Sequence, residues 1–203
     1  MIAQPRPALR IIVLAAGYSS RLGRPKALAR LHGASLLRRA FELAVALRCA
    51  EIIAVVPRAC ARYRAQANGI PATFVANSQR NQGLSSSVRR GIAKARYSPA
   101  VLLMPVDLAN LKARELARLV RRWQASPRRV TARRIGRSAA APLILPRRFY
   151  PRALGIVGDV GLRELTARLP VDSRVLVDLP SASLDIDTIQ DLQGARRSFR
   201  RSG

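Results

Sequence analysis

The sequence predicts an α/β fold in which a mostly parallel central sheet is covered by helices on both faces. Three observations carry this. Short apolar runs alternate with amphipathic segments of about ten residues, the pattern of strand–helix–strand units with right-handed crossovers. Two runs, Ile11-Ile12-Val13 and VLLMPV (Val101–Val106), are apolar without alternation, as strands buried on both faces must be. Finally, 203 residues with 49% hydrophobic content can bury the core of one domain.

The elements follow in order. Residues 1–8 hold two prolines and read as a loose arm. Arg10–Ala15 is a buried strand. Leu36, Leu37, Ala40, Leu43, Ala44 and Leu47 recur at helical spacing and predict a helix over Leu36–Leu47. Glu51–Val56 is a strand ended by Pro57. Ala59–Ala67 is a short helix stopped by Asn68-Gly69. Thr73–Ala76 is a short strand, Asn77–Ser87 a polar loop, and Ser85–Ala95 a helix. Ala100–Val106 is the second strongly apolar strand, followed by a helix over Leu111–Trp123. Strands are expected at Arg129–Ala132, Leu143–Leu145 and Val175–Val177, and a helix at Leu162–Leu169. A last helix starts at Thr188–Leu192, and Arg196–Gly203 reads as a flexible basic tail. There are no repeats and no long linker, so one domain spanning residues 1–203 is expected.

Composition narrows the function. The formal net charge is +26, and of 37 basic residues Lys26, Lys94 and Lys112 are the lysines. Such a field attracts polyanions. The basic residues are nevertheless scattered over every helix and both ends, and aromatic residues are 4% of the chain. That distribution argues against a dedicated nucleic-acid surface. Arg6 and Arg10 ahead of IIVLAAG imitate a secretion signal, but the apolar stretch is short and a basic loop follows at once, so a first strand is the better reading. No apolar run approaches the ~18 residues of a membrane-spanning helix. A cytoplasmic protein is expected. Cys49 and Cys60 lack metal-type spacing and read as reduced, packed thiols.

The stretch LAAGYSSRLGRPKAL (Leu14–Leu28) leaves the first strand through small residues and then sets out Arg21, Arg24 and Lys26. Ala15, Ala16 and Gly17 allow close backbone approach, so consecutive amides can cradle phosphate oxygens. Arg21 offers a planar fork of donors and Lys26 a mobile point charge. The spacing is neither that of a P-loop nor G-x-G-x-x-G. Taken locally, a phosphate site and an ordinary solvated loop both remain open.

The acids are few, eleven in all. Glu42, Glu51, Glu115 and Glu164 lie on or beside helices, where arginine pairing is expected. Asp107 differs because it closes an apolar strand, where a carboxylate is costly unless paired or cation-bound. Magnesium bridging phosphate oxygens would satisfy it, and so would a helix N-cap. Asp185 and Asp187, two apart in LDIDT, share one side of an extended chain, as a cation site or with one capping the last helix. Asp159 lies in a GDVG turn ahead of a helix. The lone His32 reads as a loop residue. No nucleophile–base arrangement for covalent catalysis is indicated.

These stretches together resemble the nucleotidyltransferases that mature the molybdenum cofactor. VLAAGYSSRLGRPKAL resembles the family's L-A-A-G-x-S-x-R-M-G-x-x-K signature, NQGLSSSVRRGI its G-x-x-x-S-L-x-x-G-I segment, and VLLMPVD its strand ending in a metal-binding Asp. GDVGLREL resembles G-D-x-G-x-R-x-L, and LDIDTIQDL resembles D-I-D-T-P-E-D-L. The matches run in family order from about residue 10 to residue 193. Leu-Ala-Ala-Gly in place of Leu-Ala-Gly-Gly leans toward the cytidylyltransferase branch.

The resemblance implies a Rossmann-like three-layer nucleotidyltransferase fold and transfer of a nucleoside monophosphate from an NTP, CTP favoured, to a phosphorylated pterin, with release of pyrophosphate. By position, Leu14, Ala15, Ala16, Gly17, Arg21 and Lys26 would hold the nucleotide, with Gly83, Ser85 and Ser86 near its base and ribose. Asp107 and Asp187 would hold Mg²⁺, Asp159 and Asp185 would lie on the acceptor side, and Arg21, Lys26 and Asp107 would carry the chemistry. A client molybdoenzyme is an implied partner. Two segments depart from the family pattern: Asp107-Leu108-Ala109 stands for Asp-Gln-Pro, and Ala140-Ala141-Pro142 for Gly-His-Pro. Both belong to the acceptor side, so a transferase for another phosphorylated acceptor, or a basic binding protein on the same scaffold, are the alternatives.

Overall fold

In a computed structural model of the chain, the first apolar run forms β1 (Leu9–Leu14) at the heart of a sheet. The structure describes residues 9–58, 61–158, 162–183, 185–186 and 188–200. After β1 come a small hairpin, β2 (Arg30–Leu31) and β3 (Ala34–Ser35), then α1 (Leu36–Ala46), β4 (Glu51–Pro57) and α2 (Ala61–Arg64). Next are β5 (Thr73–Asn77), α3 (Leu84–Lys94), β6 (Ala100–Pro105) and α4 (Ala113–Gln124). The chain continues through β7 (Val130–Ile135), β8 (Ser138–Pro146), α5 (Tyr150–Leu154), α6 (Leu162–Ala167), β9 (Arg174–Val177) and α7 (Ile189–Arg200).

Among the described residues the main sheet has seven strands in the order β5-β4-β1-β6-β8-β7-β9. β8 runs antiparallel to both its neighbours, and the other pairings are parallel. Strand residues face alternate sides. Leu9, Ile11 and Val13 enter one half of the core with α1, α4 and α7, while Ile12 and Leu14 enter the other with α3, α5 and α6. The expected layers, helix on sheet on helix, are thus present. Gly91 brings α3 down onto the sheet: a Cβ there would sit 2.5 Å from Ile12 Cγ2 and 3.3 Å from Val55 Cγ2.

Three local features differ from expectation. The strands expected at Arg129–Ala132 and Leu143–Leu145 are longer and form a β7–β8 hairpin about Gly136. Between Ala132 and Arg133 its register shifts, so that Ala132 faces Leu143 and Arg133 faces Ala140. Pro142 lies in that bulge, and having no N–H it could not have filled a regular ladder position. His32-Gly33, both at positive φ, make the two-residue turn of the β2–β3 hairpin. α7 continues to Arg200, so residues 196–200 of the expected loose tail are helical.

The acids behave largely as expected. Arg10–Glu51 and Arg38–Glu42 pair at 2.9 Å, and Arg168 pairs with Glu164. Glu115 instead accepts hydrogen bonds from the Ser181 N–H and hydroxyl, which ties α4 to the segment after β9. No helix among the described residues is long and apolar enough to cross a membrane. Cys49 is half-buried, and burial pushes its thiol up to about 11. Cys60 lies outside the described residues.

Candidate active site

Parallel strands bring their carboxyl ends to one edge of the sheet, where ligands of such folds bind. β1 and β6 are paired neighbours, Leu14 opposite Pro105, so the loops leaving them emerge side by side. Between them opens a cavity of about 230 Å³ lined by Leu14, Ala15, Ala16, Gly17, Ser19, Arg21, Lys26, Leu84, Ser87, Pro105, Val106 and Asp107.

The loop after β1 is held by residues that alternate with its charges. Leu22 is 1% exposed and Ala27 3%, both in the core, while Arg21 and Lys26 beside them line the cavity. Ser19 has a left-handed backbone (φ 56), uncommon for a residue with a side chain. Its hydroxyl accepts the Lys26 N–H at 2.9 Å, closing the loop across seven residues. Lys26 Nζ in turn donates to Asp107 Oδ2 at 3.3 Å, with side chains 14% and 27% exposed. The carboxylate that closes the apolar strand therefore faces the basic loop across the cavity. Among the small residues, Ala15 donates its N–H to Val55 O at 2.9 Å, which commits that amide to the fold. Gly17 is exposed, with nothing within 4 Å of where a Cβ would stand, and presents open backbone.

The third wall is the start of α3. Gly83 caps it with φ 78 and ψ −173, a conformation open essentially to glycine alone. The positive end of the helix dipole thus lies at the cavity, where it favours an anion. Ser85 and Ser86 do not line the cavity. Each is 1% exposed, and their hydroxyls donate to Gln82 O and Gly83 O at 3.2 and 2.7 Å. Buried Asn77 donates to Ser86 Oγ and Ser87 Oγ at 2.8 and 3.0 Å and accepts from the Gln79 N–H, which locks the loop to the helix. Leu84 and Ser87, three apart on one helix face, reach the cavity instead. The sequence reading missed Ser19, Leu84, Ser87 and Asn77. Helical phase counted from Gly83 was the signal for Leu84 and Ser87.

On the far side of Asp107, Leu108 and Asp185 form an antiparallel bridge, and the Ile186 N–H donates to Asp107 O at 3.1 Å. Asp185 is thus brought beside Asp107 and pairs with Arg133 at 3.6 Å. Asp159 and Asp187 lie outside the described residues. Leu108 and Ala109, the residues that depart from the family pattern, are each 6% exposed and packed into the core. They help wall a second cavity of about 290 Å³ on the α1 side.

Comparison with known proteins identifies the family. Residues 11–174 match the MobA-like NTP transferase domain family. The chain is 29% identical to a Paenarthrobacter nicotinovorans protein named nicotine blue oxidoreductase, over 92% of this chain and 95% of that one. It is 34% identical to a Rhodopirellula baltica protein named "Probable molybdenum cofactor guanylyltransferase", over 63% of this chain and 61% of that one. Its fold matches that of a Mycobacterium tuberculosis H37Rv protein solved in complex with manganese, with a TM-score of 0.72 at 23% identity, covering 94% of this chain and 98% of that one. The basic loop, the carboxylate opposite it and the family match over residues 11–174 lead to one conclusion: this chain belongs to the MobA-like NTP transferases and is a nucleotidyltransferase.

Proposed function

We propose that the protein transfers a nucleoside monophosphate, CMP in preference to GMP, from an NTP to the terminal phosphate of molybdopterin and releases pyrophosphate. It would do so in the cytoplasm as one domain, passing its product to a client molybdoenzyme. The observation that carries this reading is the cavity in which Lys26 meets Asp107 at 3.3 Å beside Gly17 and Arg21. Ala16 in the loop supports CTP as donor; the name of the Rhodopirellula baltica relative supports GTP.

The residues fit a magnesium ion bound together with the nucleotide. Mg²⁺ takes one or two carboxylates and keeps several waters. Asp107 supplies one partly exposed carboxylate, and the described residues contain no cluster of three or more His, Cys, Asp or Glu. Triphosphate oxygens and water would complete the shell. When bound, the metal supplies charge neutralisation at the phosphate oxygens; the matching Mycobacterium tuberculosis protein was solved with manganese.

The chain's own residues do the positioning. An acceptor phosphate oxygen forms a bond to the α-phosphorus as the bond to pyrophosphate breaks. That oxygen is already anionic, so no strong general base is required. Arg21 and Lys26 offset charge on the departing pyrophosphate, and the α3 N-terminus adds its dipole. Ser19 holds Lys26 in place, which makes the donor side preorganised.

A panel of the four NTPs with molybdopterin and Mg²⁺, read by pyrophosphate release, tests this. Release with CTP is expected, and no release with any NTP refutes it. A second reading, redox chemistry on this scaffold, is favoured by the nearly full-length match to the oxidoreductase of Paenarthrobacter nicotinovorans. Oxidation of a reduced nicotinamide without pyrophosphate release would select it.

A further inference from the structure

The transferase reading places the nucleotide on the Lys26 side of Asp107 and requires a second anion site on the other side. We propose that Arg133 is that site and binds the phosphoryl group of the acceptor; this rests on the transferase reading.

Position is the first argument. β8 runs antiparallel to β6, with Leu103 opposite Leu143, so the residues preceding Leu143 run on past the carboxyl end of β6. Arg133 faces Ala140 there, at the edge of the sheet that carries Asp107. It also stands at the register shift between Ala132 and Arg133, and bulges of this kind re-aim side chains and gather beside active sites.

Burial is the second. The chain is rich in exposed arginine, but among the side chains the structure describes Arg133 is the one buried cation, at 8% exposure. Its ion-pair partner is Asp185, half exposed and 3.6 Å away. A guanidinium carries five donors in a planar fork suited to two oxygens of one phosphate. The Asp185 contact, 3.6 Å from one terminal nitrogen, is longer than a hydrogen bond and does not occupy the fork in a bidentate way. Through the Leu108–Asp185 bridge and the Ile186 hydrogen bond to Asp107, the charges fall in the order Lys26, Asp107, Asp185, Arg133. A cation thus stands at each end of a pair of carboxylates. One end serves the donor's phosphates, and the other is free to serve the acceptor's once Asp185 gives way.

The test has two arms, both on the full chain. In the first, phenyl phosphate, a phosphomonoester probe, is titrated at about 0.15 M salt to screen surface arginines. The Arg133 Nε–Hε resonance, identified as the one missing from Arg133→Lys, should shift, and an unmoved resonance overturns the proposal. In the second, Arg133→Gln should raise KM for molybdopterin roughly 10- to 100-fold while KM for CTP stays at the wild-type value. Arg133→Lys should fall between. Equal increases for both substrates would mean a merely structural role and overturn the proposal. A shifted resonance in a protein that releases no pyrophosphate would keep the anion site and discard the transferase reading.

Discussion

Asp107→Asn should tighten polyphosphate binding when metal is chelated and weaken it when Mg²⁺ is present. In the structure Lys26 Nζ is occupied by the Asp107 carboxylate at 3.3 Å. A polyphosphate that takes Lys26 displaces that carboxylate and then sits beside its negative charge. Two unit charges about 5 Å apart repel by roughly 1–3 kcal/mol for effective dielectric constants between 80 and 20. The side chains are 14% and 27% exposed, so solvent screens them in part and a value of about 1–2 kcal/mol applies. Asparagine keeps the shape and removes the charge. Without metal, tripolyphosphate should therefore bind roughly 5- to 30-fold tighter to the variant. With millimolar Mg²⁺ the order should reverse, because the wild type offers the ion the Asp107 carboxylate that the variant lacks. The loss of the partly exposed pair itself should cost under about 1 kcal/mol of stability. Isothermal titration with tripolyphosphate, in EDTA and then in Mg²⁺, reads both signs. Equal affinities of the two proteins in both media would place Asp107 outside the field of the polyphosphate and refute the reasoning.

Other outcomes follow from single contacts. Lys26→Ala should weaken tripolyphosphate and CTP alike, by about tenfold at low salt and less at high salt; unchanged affinity at low salt would remove the loop from the site. Gly91→Val should lower stability by about 2 kcal/mol in a denaturant melt, since the added carbon meets Ile12 Cγ2 at 2.5 Å; an unchanged midpoint would mean that α3 does not press on the sheet there. With its thiol pushed up to about 11 by burial, Cys49 should alkylate slowly at pH 8 in the folded protein and at the ordinary rate once unfolded, as peptide mapping would show. Rapid labelling of folded protein at pH 8 would contradict that burial.

What the sequence revealed was what strand order alone determines. Ile11-Ile12-Val13 and VLLMPV are apolar on both faces, so both had to lie inside the sheet, and a parallel sheet puts the residues after them at one edge. That reasoning brings Lys26 and Asp107 together without any side-chain geometry. Ser85 and Ser86 show where it stops. The run Ser85-Ser86-Ser87 is uniform in chemistry, and only the rotation of α3 about its axis decides that Ser87 reaches the cavity while its neighbours bond back to Gln82 and Gly83. The β7–β8 hairpin was similarly hidden. SAAAPLILP mixes small residues with a proline, and neither a period of two nor a turn signal marks nine residues as one strand. Arg133 carried no signal at all, being one arginine among many in the sequence.

The last helix has a consequence for handling the molecule. Leu192 and Ala195 sink into the core, and Arg196 donates to Arg30 O at 2.9 Å, so α7 clasps the small hairpin that begins four residues after Lys26. α7 is therefore a brace for the segment that follows Lys26. Trimming it, or loading it with a bulky affinity tag, would slacken a loop far away in sequence, whereas the same tag placed ahead of β1 would leave that clasp alone.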